Sequence, residues 1–196
     1  MSESWRLFIA IELSAAVRHQ IEQTQRQLER QIPRSAARWV KPGNIHLTLK
    51  FLGEVDTTQI DAIKTALDEA ASQHTAFALR TAELGCFPHT RNPRVLWLGV
   101  AGALDTLRAL QRDVEAAMAP LGFEPDGREF SPHLTLARVQ RNASRQDAAK
   151  VGEAAEVGSG LPEQEWPVNS VSLMRSQLKP SGSVYTELHR TTLLDG

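Results

Sequence analysis

Short apolar runs and longer amphipathic segments alternate along the first half of the chain. The apolar runs have the length of strands and are rich in β-branched and aromatic residues. The longer segments repeat apolar residues every three or four positions, which is typical of helices with one buried face. The predicted order is a strand at 6–13, a helix from 15 to about 30 capped by Ser14, a strand at 45–52, a helix from 56 to about 74 and a strand at 76–84.

The second half repeats this order after a loop marked by glycine and proline. Its predicted elements are a strand at 94–100, a helix at 103–118, a strand at 133–139, a helix from 144 to about 156, a loop at 158–162 and strands at 168–178 and 184–194. The tetrapeptide His-Leu-Thr-Leu occurs at 46–49 and again at 133–136, each time in the second strand of its half. We therefore predict one bilobal domain over 1–196 with an internal duplication, its units at about 5–84 and 94–194.

The repeated tetrapeptide has a defined geometry if both copies are strands. Side chains at i and i+2 point to the same face, so His46 lies beside Thr48, and His133 lies beside Thr135. The leucines face the other way and would pack against helices. Two such faces across a cleft would surround one small volume with two imidazoles and two hydroxyls. Imidazoles suit paired proton donation and acceptance, and hydroxyls suit phosphate oxygens.

Composition narrows the classes of protein that fit. Apolar residues make up 41% of the chain and charged residues 23%, which excludes a disordered or low-complexity chain. The formal charge of −1 gives no global positive field, so an anionic substrate needs a local cluster of donors. The single cysteine, Cys86, excludes an internal disulfide and a cysteine-based zinc site. No secretory signal or membrane-length apolar run is evident, so we expect a cytoplasmic protein.

The paired motifs and their flanks resemble the 2H phosphoesterase superfamily, and within it the RNA 2′,3′-cyclic phosphodiesterases, also called 2′-5′ RNA ligases. The resemblance covers nearly the whole chain and is carried by the segments RLFIAIEL, NIHLTLKFLGEV, PRVLWLGV, FSPHLTLAR and SLMRSQLKPSGSVYTEL. It implies an α+β fold of two pseudo-symmetric lobes. Each lobe would be an antiparallel sheet with helices on its outer face, and the two sheets would enclose a central cleft.

The resemblance also implies an activity and a role for each motif residue. His46 would be the proton donor and His133 the proton acceptor in the hydrolysis of an RNA 2′,3′-cyclic phosphate end to a 2′-phosphate. Thr48 and Thr135 would hold the non-bridging oxygens. The same reaction reversed, with a 5′-hydroxyl as the partner, would give a 2′-5′ linkage. No cofactor, metal or membrane partner is implied, and we expect a monomer.

Two further residues follow their motif histidine by five positions, namely Phe51 and Arg138. The resemblance gives Arg138 a phosphate contact and Phe51 a surface for base stacking. Strict alternation places both on the leucine face, so a strand end or a bulge is needed to turn them into the cleft. Lys50 shares the parity of His46, which places it at the cleft rim or in solvent.

Two alternative functions stay open at this point. One is the opening of a cyclic phosphate on a small nucleotide such as an ADP-ribose derivative, which would use the same four motif residues. The other is a nucleotide- or RNA-binding module without catalysis. Relative kcat/KM values separate the first from the RNA reaction, and the effect of removing His46 or His133 separates the second.

Overall fold

The computed structural model describes residues 3–158, 162–180 and 182–195. Its strands are β1 (Ser4–Ile11), β2 (Ala37–Trp39), β3 (Leu47–Asp56), β4 (Phe77–Phe87), β5 (Val95–Gly102), β6 (His133–Val139), β7 (Glu165–Val168), β8 (Ser170–Lys179) and β9 (Gly182–Thr192). Its helices are α1 (Ala15–Leu28), α2 (Ile60–Ala71), α3 (Leu104–Met118) and α4 (Arg145–Val157). Short 3₁₀ turns at Pro42–Asn44, Thr57–Gln59 and Ala119–Leu121 complete the regular structure.

The strands form two antiparallel sheets, which confirms the predicted α+β class with two lobes. The first sheet has the order β3-β1-β8-β9, and the second has the order β2-β6-β5-β4-β7. The lobes are not the two halves of the sequence. Strand β4, from the first half, pairs with β5 in the second sheet, and β8, from the second half, pairs with β1 in the first. The duplication itself, with units at about 5–84 and 94–194, stays a prediction.

Each sheet is likewise covered by one helix from each half of the sequence. Helices α2 and α3 pack on each other and on the first sheet, where α2 contacts β8 and β9 and α3 contacts β3. Helices α1 and α4 pack on the second sheet, and the Gln25 side-chain amide of α1 donates to the Leu136 carbonyl of β6. The motif leucines lie in this core, as their position predicted, because all of them are buried: Leu47, Leu49, Leu134 and Leu136.

Most predicted elements agree with the structure to within a few residues. Helix α1 begins at the cap provided by Ser14, and α4 begins at the cap provided by Ser144. Strand β4 runs on to Phe87, past the predicted end at residue 84. Strands β2 and β7 were not predicted, since runs of three and four residues are too short to show a period. The predicted loop at 158–162 falls partly on residues 159–161, which lie outside the described residues.

Gly152 lies inside α4, where glycine costs up to about 1 kcal/mol of helix stability relative to alanine. Its position is explained by packing, because a Cβ there would overlap the backbone carbonyl of Thr90. We therefore expect Gly152→Ala to destabilise the protein by about 1–3 kcal/mol, despite the better helix former. Urea unfolding measures the difference, with Gly127→Ala as the control, since a Cβ at Gly127 meets nothing within 4 Å. A more stable Gly152→Ala variant would contradict this packing.

Candidate active site

Both motif histidines are held by the same local arrangement. His46 immediately precedes β3, and its Nδ1 lies 2.9 Å from the carbonyl oxygen of Asn44. His133 is the first residue of β6, and its Nδ1 lies 2.7 Å from the carbonyl oxygen of Ser131. A carbonyl oxygen only accepts hydrogen bonds, so each Nδ1 carries a hydrogen. Each Nε2 is therefore free to accept a proton, or to donate one when the ring is charged.

Aromatic rings fix the orientation of both imidazoles. His46 stacks on Phe8, with 4.6 Å between ring centroids, and meets the edge of Tyr185 at 5.3 Å. His133 meets the edge of Phe87 at 4.8 Å. Because each ring is held by an aromatic neighbour and by a carbonyl, neither imidazole can swing freely.

The surroundings disfavour a charge on either ring. Burial lowers the pKa of His46 to about 4, and the nearby positive charge of Arg18 acts in the same direction. Burial also lowers the pKa of His133, again helped by a positive charge, that of Arg138. In each case the hydrogen bond to the backbone carbonyl opposes the shift. Both rings are therefore uncharged near neutral pH in the free protein, and an anion beside them would favour the charged form.

A bulge in β3 decides which side chains share the face of His46. Ala10 of β1 lies opposite Thr48, but Ile9 lies opposite Lys50, so Leu49 is the extra residue. Leu49 and Lys50 consequently both point to the buried side. Phe51 turns to the other side, where its ring is 66% exposed and lies 6.2 Å from Phe8. Phe51 therefore lies on the cleft side, because the bulge reverses the side that strict alternation assigns to it.

The second motif has a bulge at the equivalent place in β6. Trp97 of β5 lies opposite Thr135, but Leu96 lies opposite Ala137, so Leu136 is the extra residue. Leu136 and Ala137 are both buried, and Arg138 is exposed on the face of His133 and Thr135. The influence of Arg138 on the pKa of His133 agrees with this placement. The two bulges therefore preserve the pseudo-equivalence of Phe51 and Arg138.

The expectation for Lys50 is wrong. Its ammonium group is buried, forms an ion pair with Glu115 of α3, and donates to the carbonyl oxygen of Glu124 at 2.8 Å. The bulge after Thr48 removes Lys50 from the parity of His46, so it lies neither at the cleft rim nor in solvent. Lys50 instead ties β3 to α3 and to the segment that leads to the second motif.

The threonine hydroxyls are available to a ligand. Thr48 and Thr135 are each half-buried, and within the described part of the chain neither hydroxyl forms a hydrogen bond. Strands β3 and β6, which carry the two motifs, contact each other where the sheets meet. The structure thus groups His46, Thr48 and Phe51 on the first sheet, and His133, Thr135 and Arg138 on the second.

A cavity of about 240 Å³ opens beside His46 and is strongly polar. Both arginines that line it are paired with carboxylates, since Arg18 lies 2.8 Å from Glu12 and Arg190 lies 2.7 Å from Glu187. The charges that line this cavity therefore largely cancel. Tyr185, the only tyrosine of the chain, closes the side next to the imidazole.

Three other features bear on the chemistry. No group of three or more His, Cys, Asp or Glu side chains that could hold a metal ion occurs among residues 3–158, 162–180 and 182–195. Burial, aided by Glu156, raises the pKa of the Cys86 thiol to about 11, so it stays protonated and is a poor nucleophile. None of the described helices is long and apolar enough to cross a membrane.

Sequence reasoning missed several side chains that surround the motifs. Phe87 and Trp97 contact His133 from β4 and β5, and Tyr185 contacts His46 from β9. Arg38 of β2 lies directly opposite Arg138. No local signal in the sequence identifies Arg38, because the three residues of β2 are too few to show a period.

Two lobes that each present a His-x-Thr strand define a phosphoesterase fold. The chain belongs to the LigT like Phosphoesterase family, whose model matches residues 11–97 and again residues 98–185. This confirms the resemblance that the sequence suggested and makes the chain an enzyme of the phosphoesterase class.

Curated relatives and solved structures agree with this membership. The RNA 2′,3′-cyclic phosphodiesterase of Methanothermobacter thermautotrophicus is 33% identical over 93% of this chain and 96% of its own length. That of Archaeoglobus fulgidus is 32% identical over 93% and 97%. The crystal structure of TT0787 from Thermus thermophilus matches with a TM-score of 0.78, at 30% identity over 97% of this chain and 98% of that one. Escherichia coli LigT complexed with 3′-AMP matches with a TM-score of 0.76, at 28% identity over 97% and 99%.

Proposed function

We propose that this phosphoesterase opens RNA 2′,3′-cyclic phosphate ends to 2′-phosphates by acid–base catalysis with two histidines. His133 accepts a proton from the attacking water through Nε2, and His46 donates a proton to the departing ribose 3′-oxygen. Thr48 and Thr135 donate hydrogen bonds to the non-bridging oxygens, Arg138 contributes a phosphate contact, and Phe51 offers a face for the terminal base.

The proposed step is balanced without a cofactor. The water oxygen bonds to phosphorus as the bond from phosphorus to O3′ breaks, and one proton enters at O3′ while another leaves the water. With a 5′-hydroxyl in place of water, the same transfers give a 2′-5′ phosphodiester and a free 3′-hydroxyl. Ligation is therefore proposed as a side activity of the same site.

The observation that supports this proposal most strongly is that the two imidazoles have the same hydrogen-bond arrangement. Each ring gives its Nδ1 hydrogen to a carbonyl oxygen two residues earlier in the chain, which leaves Nε2 free in both motifs. A purely structural histidine would not need the same free nitrogen at both sites. The names of the relatives, RNA 2′,3′-cyclic phosphodiesterases, support RNA as the substrate. An RNA substrate in turn supports a cytoplasmic location.

The proposal is tested with an RNA oligonucleotide that ends in a 2′,3′-cyclic phosphate, incubated with enzyme that has been treated with a chelator. The expected product carries a 2′-phosphate, and His46→Ala should form far less of it, with His19→Ala as the control because His19 is exposed on α1. A 3′-phosphate product would contradict the roles given to the two histidines. Loss of activity on chelation would contradict catalysis without a metal.

The same experiment, run in parallel on two substrates, addresses the alternatives. A higher kcat/KM on an ADP-ribose cyclic phosphate than on the RNA end would assign the site to small nucleotides. No turnover on either substrate would leave only a binding module.

The lowered pKa values of both histidines set the expected pH dependence. The ratio kcat/KM reports the free enzyme, in which His46 must be charged and His133 neutral. Since the pKa of His46 is about 4 and that of His133 is also lowered, both limbs move to low pH. We expect a bell-shaped kcat/KM profile with its maximum below pH 6.5. A bound phosphodiester favours the charged His46, so the alkaline limb of kcat should lie at higher pH than that of kcat/KM.

Initial-rate measurements across the pH range, with substrate below and above KM, give both profiles. The apparent values belong to the coupled pair of histidines. A profile that is flat from pH 5 to 8 would show that no more than one of the two histidines acts. Coincident alkaline limbs would show that substrate does not influence the charge on the pair of histidines.

A further inference from the structure

Two arginines face each other across neighbouring strands beside the second motif. Arg38 of β2 lies directly opposite Arg138 of β6 in the antiparallel register. Directly opposite residues point to the same side of a sheet, with their Cβ atoms about 5 Å apart. Ala37 and Trp39 pair with Val139 and Ala137 on the core side, so both arginines point to the side of the cleft, where both are exposed.

This pair has no counter-ion among the residues that the structure describes. Within those ranges the ion pairs involve other arginines, and none forms at Arg38 or Arg138. The contrast with the cavity beside His46 is clear, since both of its arginines are neutralised by glutamates. Like charges directly opposite each other destabilise a sheet, so this arrangement has an energetic cost in the absence of an anion.

The arginine pair belongs to the second sheet, and one of its members also lies beside the first sheet. The Arg38 guanidinium lies beside Gly182, because a Cβ there would be 3.4 Å from its Nη2, and Gly182 begins β9 of the other sheet. Arg138 is three residues beyond Thr135, but Leu136 is the extra residue of the bulge, so the two lie opposite positions two apart on β5, roughly 7 Å along the strand. The Arg38 guanidinium thus lies where the sheets meet, and Arg138, which is directly opposite it, is displaced along β6 from the Thr135 hydroxyl.

We propose that Arg38 binds a second phosphate, the one attached to the 5′-oxygen of the nucleoside that carries the cyclic phosphate, while Arg138 beside it keeps its contact with the reacting phosphate. This inference rests on the proposed function and deepens it, because it makes the enzyme prefer a substrate whose reacting nucleoside carries a phosphate on its 5′-oxygen. Arginine suits this role, since its planar fork donates two hydrogen bonds to a phosphate. An RNA end, a 5′-phosphorylated nucleotide and an ADP-ribose derivative all carry such a phosphate.

The test compares adenosine 2′,3′-cyclic phosphate with the same compound bearing a 5′-phosphate, and with the dinucleotide ApA ending in a 2′,3′-cyclic phosphate. All three react by the same chemistry and differ only on the 5′ side. We expect the wild-type kcat/KM to be about tenfold higher, or more, for both compounds with the additional phosphate. The variant Arg38→Gln is expected to lose most of this preference, mainly through KM.

The matched control is Arg112→Gln, which removes the same charge from an exposed position on α3. It should keep the wild-type ratio between the substrates. Thermal unfolding separates binding from structure, because removing one of two opposed like charges should leave Arg38→Gln at least as stable as the wild type. A marked loss of stability would assign Arg38 a structural role and overturn the inference.

The outcomes distinguish this inference from the proposed function. Hydrolysis of all three compounds with equal kcat/KM would overturn the second phosphate site and leave the proposed function intact. An unchanged preference in Arg38→Gln would also overturn it. No hydrolysis of any compound would refute the proposed function itself. A preference for the 5′-phosphate monoester over the dinucleotide would assign the site to small nucleotides, and the reverse order would assign it to RNA.

Discussion

Replacing His133 with alanine is expected to lower kcat for cyclic phosphate opening by about 10²–10⁴, the usual contribution of a positioned acid or base. His46→Ala should cause a loss of the same order. The reason is that each free Nε2 handles one of the two protons that move in the reaction. Because the histidines act in a single step, the double variant should lose far less than the product of the two separate losses.

Single-turnover measurements on an RNA end with a 2′,3′-cyclic phosphate give these rates directly. His133→Asn and His46→Asn keep a polar side chain of similar reach, so a similar loss in these variants would exclude a simple packing effect. Thermal unfolding confirms that each variant is folded. If either alanine variant retained more than about a tenth of the wild-type rate, that histidine would not transfer a proton in the rate-limiting step.

Replacing Lys50 with alanine is expected to give the largest loss of stability, about 3–5 kcal/mol, because it leaves the largely buried carboxylate of Glu115 without its cationic partner. The double variant Lys50→Met/Glu115→Leu removes both charges and should recover most of the loss. Urea unfolding measures each variant. The control is Lys64→Ala, which breaks an ion pair with the exposed Asp61 and should cost no more than about 1 kcal/mol.

An equal, small effect for Lys50→Ala and Lys64→Ala would show that the Lys50–Glu115 pair contributes no more than a surface pair. A double variant as unstable as Lys50→Ala would show that the cost lies in lost packing of the lysine stem instead. Either result would contradict the role of the buried pair in tying β3 to α3.

The positions of Lys50 and Phe51 show which features of the site the sequence alone does not predict. A period of two predicted the shared face of His46 and Thr48, and the leucines behind them are buried as expected. The same period misplaced Lys50 and would misplace Phe51 and Arg138, because a bulge adds one residue to the strand. Bulges depend on the register with a neighbouring strand, which a single sequence does not contain.

The exchange of strands between the lobes could not be predicted from the sequence either. The pattern of β4 and β8 identifies each as a strand, but it does not determine which sheet accepts it. Partner choice depends on packing between residues far apart in the sequence. Strand β2 was missed for a different reason, since three residues do not establish a period, and Arg38 was missed along with it. Local signals thus gave the elements and the motifs, whereas the arginine pair required the assembled sheets.

The most direct measurement for the two-histidine mechanism is a crystal structure of the protein with a nucleoside 2′-phosphate bound. We expect Nε2 of His133 to lie within about 3.2 Å of a phosphate oxygen, and Nε2 of His46 to lie within about 3.2 Å of the ribose O3′ or of a phosphate oxygen on the opposite side of the same phosphorus. A phosphate that contacts only one of the two imidazoles, with the other directed away from the bound nucleotide, would contradict the mechanism.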